Sequence, residues 1–111
     1  MRFLYRFKED PFGDLSIVLP DEISIFSDFI ENIATEEQVD EYIEYAEKVL
    51  EGSYDHFEIE LNATSVFIKK DVTIVENPYR FEEPFENSIQ TEEFIKLLLV
   101  WKKKIPEIFK G

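Results

Sequence analysis

The sequence has no cysteine, only three glycines and a single histidine. The lack of cysteine excludes disulfides, thiolate metal sites and cysteine nucleophiles. Gly13, Gly52 and Gly111 lie too far apart to form a glycine-rich phosphate-binding loop. No catalytic serine or histidine motif surrounds His56, so we expect this residue to be structural or exposed. These absences predict a protein that is not an enzyme and that holds no cofactor and no metal.

Long apolar segments are also lacking. The longest run, residues 97–101, has five residues, far fewer than the ~20 of a membrane span or the 7–15 of a signal peptide. We therefore expect a cytoplasmic protein with no membrane partner. A chain of this length has apolar material for one ordinary core, which predicts a single domain over residues 1–111.

Basic residues are scarce over more than half of the chain. Between Glu9 and Ile68 there are seventeen acids and one base, Lys48, a net charge of −16; the remainder has eight acids and eleven bases, a net of +3, and the total is −13. A field of this sign repels nucleic acid and anionic lipid and attracts cationic surfaces. We expect no nucleic-acid partner, and either a solvated acidic surface or a cationic protein partner.

Alternating hydrophobic residues predict five short strands, at residues 2–8, 15–19, 57–61, 66–68 and 72–75. Residues 76–90 contain Pro78 and Pro84 and are predicted to form an exposed loop whose aromatic side chains pack against the rest of the protein. Residues 21–34 stay open between helix and strand. Their apolar residues recur at spacings of three and four, but Ile23–Phe26 could continue a sheet.

Two main helices are predicted. The first runs over residues 36–51, with Thr35 and Gln38 as a capping box and Gly52 as its stop. Its expected core face is Val39, Ile43, Ala46 and Leu50, flanked by Tyr42 and Val49. The second begins at Thr91 as a cap, has Lys102, Lys103 and Lys104 in its last turn, and ends or bends at Pro106. The order of elements predicts an α+β fold, with an antiparallel meander sheet of about five short strands and two main helices packed on one face.

The carboxylates of the first helix recur at spacings of three and four residues, roughly opposite its apolar side. They are Glu37, Asp40, Glu41, Glu44, Glu47 and Glu51. Like charges four residues apart cost about 0.2–0.5 kcal/mol per pair, and only Lys48 relieves them within the helix. Two interpretations follow: a solvated face of an acidic protein, or a docking surface for arginine and lysine. The docking surface would use Asp40, Glu41, Glu44, Tyr45 and Glu47.

A second acidic group, Glu82, Glu83 and Glu86, alternates with the aromatic residues Tyr79, Phe81 and Phe85. Aromatic residues beside carboxylates are typical of an interface core with a charged rim. Alternatively, the aromatic side chains cover the core and the glutamates face water.

Residues 35–105 resemble small bacterial immunity proteins, which are encoded beside polymorphic or contact-dependent toxins. The resemblance is carried by Val49-Leu50-Glu51-Gly52, by residues 61–66 and by the helix that starts at Thr91-Glu92-Glu93. The order of elements is also similar to the uncharacterised YacL-type family. The first resemblance implies an inhibitor that binds and blocks a sister toxin, and a nuclease toxin would be basic because it binds phosphates.

Three function classes are therefore carried forward. The first is an immunity protein that neutralises a cationic toxin through its acidic surface. The second is an acidic housekeeping adaptor that uses an apolar patch around Tyr45, Tyr79 and Phe85. The third is a small hydrolase or a carboxylate metal site.

Overall fold

A computed structural model of the chain describes residues 2–9 and 11–108, apart from the side chain at position 108. Strands β1 and β2 come first, followed by a short 3₁₀ helix, helices α1 and α2, strands β3 to β6 and helix α3. Their bounds are β1 Arg6–Glu9, β2 Leu15–Val18, 3₁₀ helix Asp21–Ile23, α1 Ile25–Ile30, α2 Glu36–Leu50, β3 His56–Leu61, β4 Thr64–Lys69, β5 Val72–Glu76, β6 Glu86–Gln90 and α3 Thr91–Ile108.

The predicted α+β fold with an antiparallel meander is confirmed. Strands β3, β4, β5 and β6 form one antiparallel sheet in sequence order. The first two strands do not join it but form a separate hairpin. This hairpin packs on helices: Ile17 is buried and its amide donates a hydrogen bond to Glu31 (3.1 Å), and the Phe7 ring lies 6.4 Å from that of Trp101. The strand predicted over residues 2–8 is observed only from Arg6.

Strand β6 lies in a segment that was predicted to be an exposed loop, and that prediction is wrong for residues 86–90. The strand was missed because one of its two inward positions is polar. Asn87 is buried, and its Oδ1 atom accepts a hydrogen bond from the amide of Ile25 (2.8 Å), so the position that would identify the strand carries an amide instead of an aliphatic side chain.

In the segment 21–34, which the sequence left open, residues 21–23 and 25–30 are helical and residues 31–34 are not. The 3₁₀ helix buries Ile23, and α1 buries Phe26 and Phe29, whose rings each lie 6.1 Å from the ring of Phe94. The spacing of three and four residues was therefore the informative signal.

Helix α2 begins as predicted, since Thr35 Oγ1 accepts a hydrogen bond from the Gln38 amide (3.1 Å). It ends before Gly52, whose φ of +91° is the left-handed conformation that glycine adopts without strain. The buried face is rotated from the expected one. It consists of Val39, Tyr42, Ala46 and Val49, while Ile43 and Leu50 are only half-buried. Tyr42 turns inward because its ring packs 5.7 Å from that of Phe29.

Helix α3 differs from expectation at both ends. The Thr91 hydroxyl donates to the carbonyl of Lys69 and accepts from Thr73, so it ties the helix to the β4–β5 hairpin. Pro106 lies inside the helix, which continues to Ile108 because a proline near the end removes only one helical hydrogen bond. The three lysines are consequently not in the last turn.

The buried apolar residues form one cluster between the four-stranded sheet and the helices. Trp101 is among the largest of them, and its Nε1 atom donates to the carbonyl of Ile33 (3.0 Å). Among the described helices, none is long and apolar enough to cross a membrane.

Candidate protein-binding surfaces

The acidic carboxylates of α2 lie together on the solvent side of the helix. All six predicted members are exposed: Glu37, Asp40, Glu41, Glu44, Glu47 and Glu51. We call this set the acidic helix face. Its position follows from the capped start of α2 and from the buried side of the helix, which fixes the rotation of the helix about its axis.

Two cations contact this face, one more than the helix sequence indicates. Lys48 lies 3.3 Å from Glu44 within the helix, and Lys102 of α3 lies 2.6 Å from Asp40. The hydrogen bonds to these carboxylates raise the pKa of both lysines. Within residues 2–9 and 11–108, no ion pair contacts Glu37 or Glu47. The face therefore keeps an excess of negative charge around a partly neutralised centre.

Tyr45 is not a free aromatic residue at the edge of this face. Its hydroxyl donates to Glu41 (2.5 Å), a hydrogen bond that raises the pKa of Tyr45 to about 12. Its ring stacks on that of Phe57 with centroids 4.0 Å apart. The Tyr54 ring also stacks on Phe57, with centroids 5.7 Å apart. Tyr45 is thus half-buried and engaged with its own chain, which leaves mainly carboxylates for a partner.

The second predicted group lies in the connection between β5 and β6, residues 77–85, which we call the aromatic loop, and at Glu86, the first residue of β6. Its aromatic side chains do not cover the core, so the expectation that they pack against the rest of the protein is wrong. Phe81 is fully exposed, Tyr79 is 78% exposed and Phe85 is 38% exposed. Exposed large aromatic side chains in a short segment are typical of protein-binding surfaces.

The base of the aromatic loop is held by a hydrogen-bond network. Asp28 Oδ2 accepts from Asn77 Nδ2 and from Arg80 Nε, each at 3.0 Å. The Asn77 amide donates to the carbonyl of Phe85 (2.8 Å), and the Tyr79 amide donates to Asn77 Oδ1 (3.1 Å). The loop is therefore fixed at its base while its rings point to solvent.

The predicted carboxylates Glu82, Glu83 and Glu86 are exposed beside these rings. Glu83 and Glu86 line an open depression together with Pro84, Phe85 and a further carboxylate, Glu76. In this group the structure brings aromatic and acidic side chains together as the interface interpretation requires.

The two predicted groups do not meet. Helix α2 packs over β3 and β4, whereas the aromatic loop connects β5 to β6 at the other side of the sheet. The acidic helix face and the aromatic loop are therefore separate surfaces of the protein.

One surface was not predicted at all. All buried residues of β3 to β6 lie on the face of the sheet toward the helices, and none of the residues on the opposite face, here called the open sheet face, is buried. Phe67 and Ile74 pair across strands in its middle and are half-buried. A neighbouring row runs across all four strands and consists of Glu60, Ser65, Glu76 and Glu86. The alternation of glutamates in β3 was the available signal.

His56 begins β3 and is exposed, opposite Lys69. Within the described residues, no group of three or more histidine, aspartate or glutamate side chains is placed to hold a metal ion.

No family model matches the chain, and neither a curated protein nor a solved structure is significantly similar to it. The assignment of function therefore depends on the surfaces described above.

Proposed function

We propose that this protein is an inhibitor, of the immunity-protein kind, that binds and neutralises a cationic protein toxin. The observation that carries the proposal is the acidic helix face, on which six exposed carboxylates are met by only two cations among the described residues. A basic nuclease toxin would present lysine and arginine that normally contact phosphates. Carboxylates at helical spacing offer those side chains an alternative anionic surface.

The internal ion pairs suggest which carboxylates a partner engages. Asp40 already accepts a hydrogen bond from Lys102, and Glu41 accepts one from Tyr45. Among the described residues Glu47 has no such partner, and Glu44 is paired only with half-buried Lys48 of its own helix. We therefore expect Glu44 and Glu47 to contribute most to the electrostatic attraction of this face for a partner, with Asp40 and Glu41 adding to the field.

Long-range attraction predicts how the complex forms. Complementary charge raises association rate constants by about 10- to 1,000-fold, and salt screens this effect. Binding of a cationic toxin should therefore be fast at low ionic strength and should slow steeply as salt is added. The dissociation rate constant should change much less.

A co-expression experiment tests the proposal. The open reading frame next to the gene for this protein is expressed alone and together with it, and surviving cells are counted. Killing by the neighbour and rescue by this protein are expected. A harmless neighbour, or killing without rescue, would count against the proposal.

A charge-reversal experiment tests the surface. Glu44→Lys combined with Glu47→Lys should slow association at low salt by about tenfold or more. Asp21→Lys combined with Glu22→Lys changes the net charge equally at two exposed positions of the 3₁₀ helix, outside the acidic helix face, and serves as the matched control. Equal effects of the two pairs would indicate that net charge, and not this face, governs association.

A second candidate function is that of an adaptor that binds through apolar contacts. It is favoured by the exposure of Tyr79 and Phe85, while Tyr45, the third residue expected for it, is stacked on Phe57. Complex formation nearly independent of salt concentration would favour this candidate over the inhibitor.

A further inference from the structure

We propose that the aromatic loop, with the adjoining open sheet face, is a second docking surface that binds a basic protein. The exposed rings would enter an apolar pocket of that protein, and lysine and arginine would border the pocket. The proposal rests on the proposed function in taking that protein to be the inhibited toxin. It assigns the anchoring contacts to a surface distinct from the acidic helix face.

The first argument is the cost of exposing the rings. Phe81 and Tyr79 offer large apolar surfaces to water, while the base of the loop is held by hydrogen bonds from Asn77 and Arg80 to Asp28. Aromatic side chains at the centre of an interface commonly dominate its binding energy. A loop held by Asp28 loses little conformational freedom on binding, which favours affinity.

The second argument is continuity. Pro84 and Phe85 border the same depression as Glu76 and Glu86, which belong to the open sheet face. On that face Phe67 and Ile74 form a small apolar centre. The loop and the sheet therefore offer one continuous area with apolar side chains in the middle and carboxylates on the side toward the loop, as in an interface core and its charged rim; His56 and Lys69 lie on the opposite side of this area.

Charge decides between possible occupants. Arg80, the one cation of the loop, is paired with Asp28, which leaves Glu76, Glu82, Glu83 and Glu86 uncompensated by any ion pair in the described part of the chain. Four carboxylates oppose an anionic membrane surface, and they equally oppose a second copy of this chain. They complement a pocket with a basic rim, which selects a basic protein.

The test uses surface plasmon resonance to measure how fast this protein associates with, and dissociates from, the purified product of the adjacent open reading frame. That product is used in an inactive form. Tyr79→Ser combined with Phe81→Ser should raise the dissociation rate constant about 30-fold or more, with the association rate constant changed less than about twofold. Leu4→Ser combined with Leu99→Ser removes other exposed apolar side chains and should leave both constants unchanged.

A second variant tests the conformation of the aromatic loop without changing its aromatic side chains. Asp28→Ala releases Asn77 and Arg80 and should weaken affinity about three- to tenfold, because the loop then has to be ordered on binding. Melting temperatures of all variants are measured first, to show that each variant is folded. The changes at the exposed positions 79 and 81 should leave the fold intact.

The outcomes separate the two proposals. Tight binding by the wild type that is unaffected by the changes at Tyr79 and Phe81 overturns the second docking surface and leaves the inhibitor proposal standing. No binding by the wild type overturns both. Aromatic-dependent binding to phosphatidylcholine–phosphatidylglycerol vesicles, or aromatic-dependent dimerisation in sedimentation, would assign the surface to a different occupant and overturn the proposal.

Discussion

Replacing Asp28 with alanine should lower the free energy of unfolding by about 2 kcal/mol. One carboxylate oxygen accepts both the Asn77 and the Arg80 hydrogen bond, each at 3.0 Å. Sheltered hydrogen bonds to charged groups contribute about 1.5–3 kcal/mol and exposed ion pairs about 0.2–1 kcal/mol. The Asp28 and Arg80 side chains are each 30% exposed, so an intermediate value of about 1 kcal/mol for each bond is appropriate.

Urea unfolding of Asp28→Ala, Arg80→Ala and the double variant measures this directly. The double-mutant cycle should give a coupling energy of about 1 kcal/mol between the two side chains. For a domain of this size a loss of 2 kcal/mol corresponds to a melting temperature lower by about 8 °C. Glu22→Ala removes an exposed carboxylate from the neighbouring 3₁₀ helix and should change stability by less than about 0.5 kcal/mol.

Hydrogen exchange locates the effect. In Asp28→Ala the amides of Asn77 and Tyr79, which donate within the loop, should exchange faster, while the amide of buried Val75 should follow global stability alone. The reasoning would be refuted if Asp28→Ala were no more destabilising than Glu22→Ala, or if the loop amides kept their protection.

Three further predictions concern the fold. Trp101→Phe should cost about 2–4 kcal/mol in urea unfolding, because it opens a cavity and leaves the carbonyl of Ile33 without its donor; a cost below 1 kcal/mol would contradict this packing. Thr35→Ala should cost about 1 kcal/mol through loss of the α2 cap, and Thr35→Ser should restore most of it. Partial burial raises the pKa of Glu31, and the hydrogen bond from the Ile17 amide offsets part of this rise. The folded state therefore binds a proton at Glu31 more readily than the unfolded state does. The contribution of Glu31 to the free energy of unfolding accordingly falls as pH rises through the raised pKa. Glu31→Gln should therefore gain stability relative to wild type as pH rises above the ordinary glutamate pKa of 4.5, and a pH-independent difference would contradict that sign.

Local signals in the sequence were sufficient for much of the fold. The cap at Thr35, the stop at Gly52 and the alternation in β3 to β5 act between neighbouring residues, so they are visible without knowledge of tertiary structure. Strand β6 was not visible, because buried Asn87 is polar and is satisfied by Ile25, which lies 62 residues away in the sequence.

The candidate surfaces were predictable only in part. The acidic helix face follows from helical periodicity, but its neutralisation by Lys102 does not, since Lys102 belongs to another helix. Tyr79 and Phe81 were expected to be packed because most large aromatic residues are. In the structure both rings are exposed, and the base of the loop is held by a polar contact, the hydrogen bond from Arg80 to Asp28. A pairing between residues this far apart in the sequence produces no periodic pattern from which it could be predicted.

Strand β3 forms an outer edge of the four-stranded sheet, and Glu58 and Glu60 are exposed along it. Unpaired backbone at a sheet edge is a template on which another chain can add a strand, and charged side chains there oppose such growth. Two copies that approached along β3 would bring these glutamates together. The same carboxylates that make the surface acidic therefore also protect the protein from aggregation along this edge.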